Sequence, residues 1–414
     1  METNWKKNTA LFLSAQALTV FGSMVVQYAI LWHITLKTQS GSMMTVFTAA
    51  GFLPMFFISP FSGVWADRFN RKYLINIADG GIALVSLAAA ALLFFGVDHE
   101  GILLACAAAR SFGQGAQNPA AGAFIPQLVP QERLARVNGI QGSIQSVSML
   151  AAPMASGALM AFAPLESLFM LDVITAAIGI SILAFLVRSP GAVQPAGGEA
   201  GRRGIDYFRD LKEGLRYVKR RGFIFRLIAL SVIFFIAVSP AAFLTPLQVT
   251  RDFGAEVWRL TAIETAFLGC MIAGGLIISA WGGFKNRVYT MALATALCGA
   301  EAIGLGLAPR FWLYCVIMGS MGLTMPFYST PAMTLLQTRV EAAYMGRVLA
   351  VFNMASGIMM PAGMLIFGPL ADRVSIDAIL IVTGAAIVLL GAAFVADKTL
   401  REAGIPPKAG GGAA

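Results

Sequence analysis

Gly63-Val-Trp-Ala-Asp67-Arg68-Phe-Asn70-Arg71-Lys72 is a dense knot of charge set between two long apolar runs. Charge gathered in this way marks the point where a chain leaves a bilayer, because a segment crossing hydrocarbon keeps its ionised groups at the wet ends. The composition agrees. Of 414 residues, 57% are apolar and 12% are charged, against about 25% charged in an ordinary water-soluble domain; mean hydropathy is +0.74. A net charge of +9 could point to nucleic acid, but the basic residues follow membrane topology, so the expected partner is the lipid bilayer and no nucleic-acid partner is expected.

Outward from the knot, twelve apolar segments of about 20 to 27 residues are each long enough to cross a hydrocarbon core at about 1.5 Å per residue. They run Thr9 to His33, Ser42 to Val64, Tyr73 to Gly96, Gly101 to Phe124, Asn138 to Phe162, Ser167 to Val187, Phe223 to Val249, Trp258 to Trp281, Val288 to Ala308, Phe311 to Leu336, Gly346 to Leu370 and Ile376 to Ala396. The expected fold is an all-α membrane protein with twelve transmembrane helices in two pseudo-symmetric six-helix bundles, residues 1–188 and 223–398. Residues 189–222 connect them and 399–414 form a tail. In the connection, Ser189 to Gly204 is a Gly-, Pro- and Ala-rich linker. Ile205 to Arg221 reads as an amphipathic helix, with Tyr207, Leu211, Leu215 and Val218 on a face resting on the membrane and Lys212, Arg216, Lys219 and Arg220 in water.

Most of the 30 Lys and Arg residues fall in alternate connections, among them the ends bearing Lys6 and Lys7, Arg68 to Lys72, and the link between the sixth and seventh spans. Loops retaining positive charge are cytoplasmic, so both termini are expected in the cytoplasm of a bacterial-type inner membrane. The first span carries Gln16, Gln27 and His33 without a cleavage site and reads as a retained helix. The four cysteines, Cys106, Cys270, Cys298 and Cys315, lie in spans without metal-ligand spacing and read as apolar packing. No metal or other cofactor is expected. His33 and His99 read as interfacial residues. There is no G-x-x-x-x-G-K-[ST] loop, so ATP hydrolysis and enzyme chemistry are not expected, and an ion gradient remains as the energy source.

The two halves are related. Asn118-Pro119-Ala-Ala-Gly-Ala-Phe-Ile-Pro-Gln-Leu, followed by Leu134-Ala-Arg136-Val137, has a counterpart in Thr330-Pro331-Ala-Met-Thr-Leu-Leu-Gln and Met345-Gly-Arg347-Val348. Each passage leads from the fourth span of its half into the fifth, as duplication of a six-helix unit would give.

With these motifs the chain resembles the major facilitator superfamily, and within it the drug exporters of the macrolide-efflux type. Gly63, Asp67, Arg68, Arg71 and Lys72 match the superfamily signature between the second and third helices, while Asn70 replaces its second glycine. Asn tolerates left-handed backbone, so the departure is mild. The resemblance covers essentially the whole chain, including Pro326-Phe-Tyr-Ser and Met345-Gly-Arg347-Val348. It implies a secondary transporter working by alternating access, with a small amphipathic molecule and protons as partners, most simply a monomer exporting macrolide-like drugs. A siderophore, lipid or metabolite as cargo in either direction, or a non-transporting membrane sensor of the same fold, stays open.

The physics of the signature stands beside the resemblance. Gly63 lets the second helix approach a neighbour closely. The Asp67 carboxylate is expected near Gly346, where the eleventh helix presents the positive end of its dipole. Such a latch joins the halves when they are closed on the cytoplasmic side and weakens on protonation or substrate binding.

Inside the spans, Arg110 is the one basic residue near mid-membrane. Burying it costs on the order of 3 kcal/mol, so it needs a partner or a wet cavity. With Gln114 and Gln117 it forms a stripe on one helix face, and Arg110-Ser-Phe-Gly-Gln-Gly resembles a proton-antiporter motif of the superfamily. A fixed Arg holding helices together is the alternative. Carboxylates in apolar surroundings are the proton-carrier candidates: Glu264 first, then Asp79, Asp172 and Glu301, with Asp172 nearer the outer boundary and able simply to orient its helix. Ser148-Met-Leu-Ala-Ala152-Pro153-Met-Ala-Ser156-Gly157 resembles the antiporter motif of the fifth helix, with Ala152 and Ser156 where glycines are usual. The expected cavity lining is Gln16 and Gln27, Gln114, Gln141 and Gln145 with Ser148, Phe234 and Phe235, Met325 and Tyr328, and Asn353 and Met360. Amides mixed with aromatic and thioether surface suit a bulky, partly apolar molecule.

Overall fold

Apolar runs of this length fold as helices because hydrocarbon offers their backbone N–H and C=O groups no partners but each other. The computed structural model describes residues 5–188, 207–341 and 344–405, and among these every regular element is helical. The order is α1 (Trp5–Thr38), α2 (Gly41–Arg68), α3 (Arg71–Phe94), α4 (Glu100–Leu128), α5 (Leu134–Phe162) and α6 (Leu165–Ser181), which ends in a π turn at Ile182–Leu186. After α7 (Tyr207–Arg220) come α8 (Gly222–Phe243), continued by α9 (Thr245–Asp252), then α10 (Val257–Trp281), α11 (Arg287–Leu307), α12 (Phe311–Arg339), α13 (Met345–Leu370), α14 (Ile376–Ala396) and α15 (Lys398–Ala403).

Among the described residues, eleven helical segments are long and apolar enough to cross a membrane. The twelfth span is α4, equally long at 29 residues; Arg110, Gln114, Gln117 and Asn118 make it less apolar. The linker expected at Ser189 to Gly204, the last nine residues of the tail, and the side chains of Gly63, Asp67, Arg68, Tyr207, Leu211 and Lys212 lie outside the described residues.

The chain divides into two compact units. The first comprises Met1–Thr38, Val46–Gly204 and Glu256–Thr261; the second comprises Gln39–Thr45, Ile205–Ala255 and Ala262–Ala414. The first turn of α2 therefore belongs to the second unit and the rest of that helix to the first.

In the first unit, α1 packs on α4, α5 and α6, and α3 on α4 and α6. Ala120, Ala121, Phe124, Ile125 and Leu128 recur at helical spacing along one face of α4 and form a core with Phe12, Ile75 and Leu183. The Phe12 and Phe124 rings meet edge to face at 5.2 Å, an arrangement worth about 0.5–1.5 kcal/mol beyond burial. The small face of α5 is buried at Ala152 and Ser156. A Cβ on Gly157 would fall 1.8 Å from Thr261 Oγ1, so only glycine allows α5 and the first turn of α10 to lie this close.

In the second unit, α11 packs on α14 and α12, and α8 on α13 and α14. Tyr328 and Phe234, both expected in the cavity lining, are in this core instead. Their rings stack at 4.4 Å, and Tyr328 Oη donates to Ser231 Oγ at 2.7 Å. A tyrosine whose hydroxyl finds a partner inside can be buried whole.

Two local expectations need correction. Asn70 is not left-handed; its φ is −64° and its Oδ1 accepts from the Lys72 backbone N–H at 3.0 Å, so it serves as the N-cap of α3. In α7, Leu215 is 46% exposed while Val218 is buried. The face turned inward carries Gly214, over Arg347 and Val351, and Tyr217, stacked on Tyr344 at 4.3 Å. The helix follows its partner α13 rather than a plain apolar stripe.

Candidate functional site

Four helices of the first unit enclose a polar cleft of about 280 Å³. From α1 come Thr19, Ser23 and Gln27; from α3, Asp79; from α4, Gln114, Gln117 and Asn118; and from α5, Gln145. Of the expected lining, Gln27, Gln114 and Gln145 thus come together, and Asp79 joins them. Gln16 is buried outside the cleft lining, its Oε1 accepting from Gln117 Nε2 at 2.9 Å. Gln141 is half-buried on α5 outside this set, and Ser148 is buried. In the second unit Phe235, Met325 and Met360 are half-buried and Asn353 is exposed.

Arg110 is wholly buried and has found its partner. Its guanidinium donates to the carboxylate of Asp172 and to Ser86 Oγ, and through a second nitrogen to the Ser23 carbonyl at 3.1 Å. Ser86 Oγ and Ser23 Oγ in turn donate to the two Asp172 oxygens at 2.7 and 3.1 Å. One ion pair therefore ties α1, α3, α4 and α6 together. Its Ser23 is also a wall of the cleft, which places the pair one residue behind the polar surface. Asp172 is thus the partner of Arg110, and Arg110 does not share the open face of Gln114. The pairing of Arg110 with Asp172 was not legible in the spacing, because they are 62 positions apart; the only available signal was that each is an ionised group in an apolar span.

The remaining carboxylates differ in how they are held. Asp79 is buried, faces the cleft, and has no hydrogen bond or ion pair among the described residues. Glu264, on α10 in the second unit, is half-buried and likewise without a described partner. Glu301 Oε1 accepts from Ser320 and Thr324 at 2.6 and 2.9 Å, while its buried Oε2 has none. Among the described residues no cluster could hold a metal ion, and all four cysteines are free.

The basic part of the signature acts within the first unit. Arg71 donates to the Ala123 carbonyl at 2.8 Å, and Lys72 Nζ to the carbonyls of Ala184 and Val187, both at 2.8 Å. A cation on the last carbonyls of α6 satisfies acceptors that the helix end leaves open.

The face of α1 that lines the polar cleft continues into a second one. Thr9, Leu13 and Ala17, at successive turns, join Val137, Ile140 and Ile144 of α5 around a cleft of about 630 Å³ whose rim carries Lys6, Arg133 and Arg136. This cleft is apolar where the first is polar. The two halves of a long polar and apolar surface thus lie along a single helix face.

This arrangement of spans, signature and buried polar cleft coincides with a match of residues 12–364 to the Major Facilitator Superfamily. The chain belongs to that superfamily. Among its relatives, Macrolide efflux protein A of Streptococcus pyogenes is 27% identical over 389 residues, covering 94% of this chain and 95% of that protein. The Multidrug efflux pump Tap of Mycobacterium tuberculosis is 24% identical over 415 residues, covering 96% and 95%. The superfamily fold is also seen in a bacterial homologue of the human lysosomal transporter Spinster, with a TM-score of 0.69 at 14% identity over 98% of this chain and all of that one. This superfamily member is accordingly a multi-pass membrane protein and a transporter of small molecules.

Proposed function

We propose that this protein is a proton-coupled exporter of amphipathic drugs of the macrolide kind, working by alternating access in a bacterial inner membrane with both termini in the cytoplasm. The observation that carries the reading is the continuous face of α1, polar beside Gln27, Gln114 and Asp79 and apolar beside Val137, Ile140 and Ile144. Drug-sized ligands occupy pockets of about 300–1,000 Å³, so the polar cleft alone is small for such cargo and the apolar one supplies the remaining surface. Amides orient the polar groups of the cargo, and the apolar wall takes its hydrocarbon part.

Proton coupling rests on Asp79, in the wall of the polar cleft, and Glu264, inside α10, carboxylates with no described partner to hold them ionised. Arg110 and Asp172 serve this reading as positioning residues, since their pair fixes the backbone of Ser23. The efflux relatives support the direction and class of cargo.

The test is a drug-susceptibility panel in a pump-deleted host, followed by transport in proteoliposomes of the purified chain. Macrolide accumulation should follow an imposed pH gradient, collapse with a protonophore, and need no ATP. A requirement for ATP, or indifference to the gradient, would overturn the coupling. Unchanged susceptibility to every amphipathic drug would overturn the cargo class.

A further inference from the structure

The stretch Gly63-Val-Trp-Ala-Asp67-Arg68-Phe69-Asn70 at the end of α2 has a second copy at the end of α13, Gly368-Pro-Leu-Ala-Asp372-Arg373-Val374-Ser375. Gly, Ala, Asp and Arg fall in register. Each stretch ends on the N-cap of the next helix: Asn70 accepts from the Lys72 N–H at 3.0 Å, and Ser375 Oγ from the Ala378 N–H at 3.4 Å.

The geometry of the second copy is complete within the second unit. Asp372 Oδ1 accepts from the Gly41 N–H at 2.7 Å, and its Oδ2 accepts from the Ser42 N–H at 2.9 Å and Ser40 Oγ at 3.0 Å. Gly41 and Ser42 begin α2, a helix of 28 residues, whose first N–H groups have no partner inside it and carry the positive end of its dipole. Gly368 permits the approach: a Cβ there would sit 1.7 Å from Thr45 Oγ1 and 2.7 Å from the Gly41 carbonyl. Arg251, at the end of α9, closes the cluster by donating to the Ala371 carbonyl at 2.8 Å and to the Gln39 carbonyl, with Asp372 Oδ1 at 3.3 Å. Gln39, with φ of 46°, is the only described non-glycine residue in left-handed backbone.

We infer that Gly368 to Ser375 is a second gating signature, in which Asp372 clasps the start of α2 in the way the sequence assigns Asp67 to clasp the start of α13. On this inference the Asp372 clasp alternates through the transport cycle with the one the sequence assigns to Asp67. The inference rests on the alternating-access reading. Burial alone would raise the Asp372 carboxyl, but hydrogen bonds from Ser42, Gly41 and Ser40 overcome this and hold it at about 2. The clasp therefore stays charged at neutral pH, and cargo or a carboxylate elsewhere must drive its release.

Hydrogen exchange on the purified, full-length protein tests this without any cargo. Asp372→Asn should raise exchange at residues 41–45 about tenfold, the factor for losing one charge-assisted hydrogen bond, and lower it at residues 345–349 as the other clasp gains population. Asp67→Asn should do the reverse at both places. If Asp372→Asn does not fold, Asp372→Ser keeps a neutral oxygen on the helix start and should give the same pattern more weakly. A change confined to residues 41–45, with residues 345–349 unmoved in either variant, would reduce Asp372 to a static cap and overturn the inference. Because exchange needs no substrate, reciprocal shifts in a protein that moves no drug would sink the proposed cargo and leave the clasp standing.

Discussion

Arg110 on α4 and Asp172 on α6 form an ion pair in which both side chains are 1% exposed. Ser23 and Ser86 fill the remaining hydrogen-bonding positions around it, and the Arg110 Nε alone is left without a partner. A pair so deeply buried is weak evidence for net stability, but removing one member leaves a charge with nothing to oppose it.

Asp172→Asn should therefore destabilise the purified protein by about 3–5 kcal/mol, read as a fall in unfolding temperature in detergent. The double variant Arg110→Met with Asp172→Leu should recover most of that loss, because an apolar pair of similar size needs no partner. Transport should stay low in the double variant, since Ser23 loses the contact that holds it at the cleft. A double variant no more stable than the single one would mean the pair itself holds the helices together.

Asp79→Asn and Glu264→Gln should each abolish pH-driven accumulation in proteoliposomes while leaving drug binding within about threefold of the parent, a difference below about 0.7 kcal/mol. Counterflow, which exchanges labelled for unlabelled drug with no gradient, separates the two effects. Variants that accumulate drug normally would remove their residues from the proton path.

Single cysteines placed at Gln27 and Gln114, in a chain lacking the four native cysteines, should react with hydrophilic thiol reagents, and bound drug should protect them. A cysteine at Gln16 should stay inert, because that side chain is buried against Gln117 at 2.9 Å and thiolate formation needs water. Equal reactivity at all three sites would contradict the cleft as described.

Asp98, in the connection before α4, lies 2.7 Å from Lys37 and 3.6 Å from His33. The hydrogen bond from Lys37 holds its carboxyl below the usual range, against the opposing effect of burial. A carboxyl lowered on folding stabilises above its unfolded value of about 3.9 and loses that contribution as pH falls through the folded value. Unfolding midpoints of the parent and Asp98→Asn should thus differ slightly at neutral pH and converge in acid. A difference that grows on acidification would reverse the sign.

Several features of the fold were readable from local pattern. The spans follow from runs of apolar residues, and only α4 strains the criterion, because Arg110, Gln114, Gln117 and Asn118 share it. The cleft was half readable: Gln27, Gln114 and Gln145 are amides in apolar spans, and such groups turn from lipid toward one another. Phe234 and Tyr328 were misplaced for the complementary reason. An aromatic ring is equally at home in a core, a cavity wall or lipid, so its type carries no direction.

Twelve crossings and the signature at Asp67, with the superfamily resemblance it carries, are legible in the chain's local pattern, since hydropathy and spacing are properties of a single segment at a time. Which polar groups meet depends on how the helices pack in three dimensions. The rotation of each helix about its axis is set by packing with neighbours distant in sequence, and no one-dimensional pattern records it. That rotation gave Arg110 to Asp172, left Asp79 facing the cleft, turned Val218 rather than Leu215 inward, and brought Asp372 to the first turn of α2.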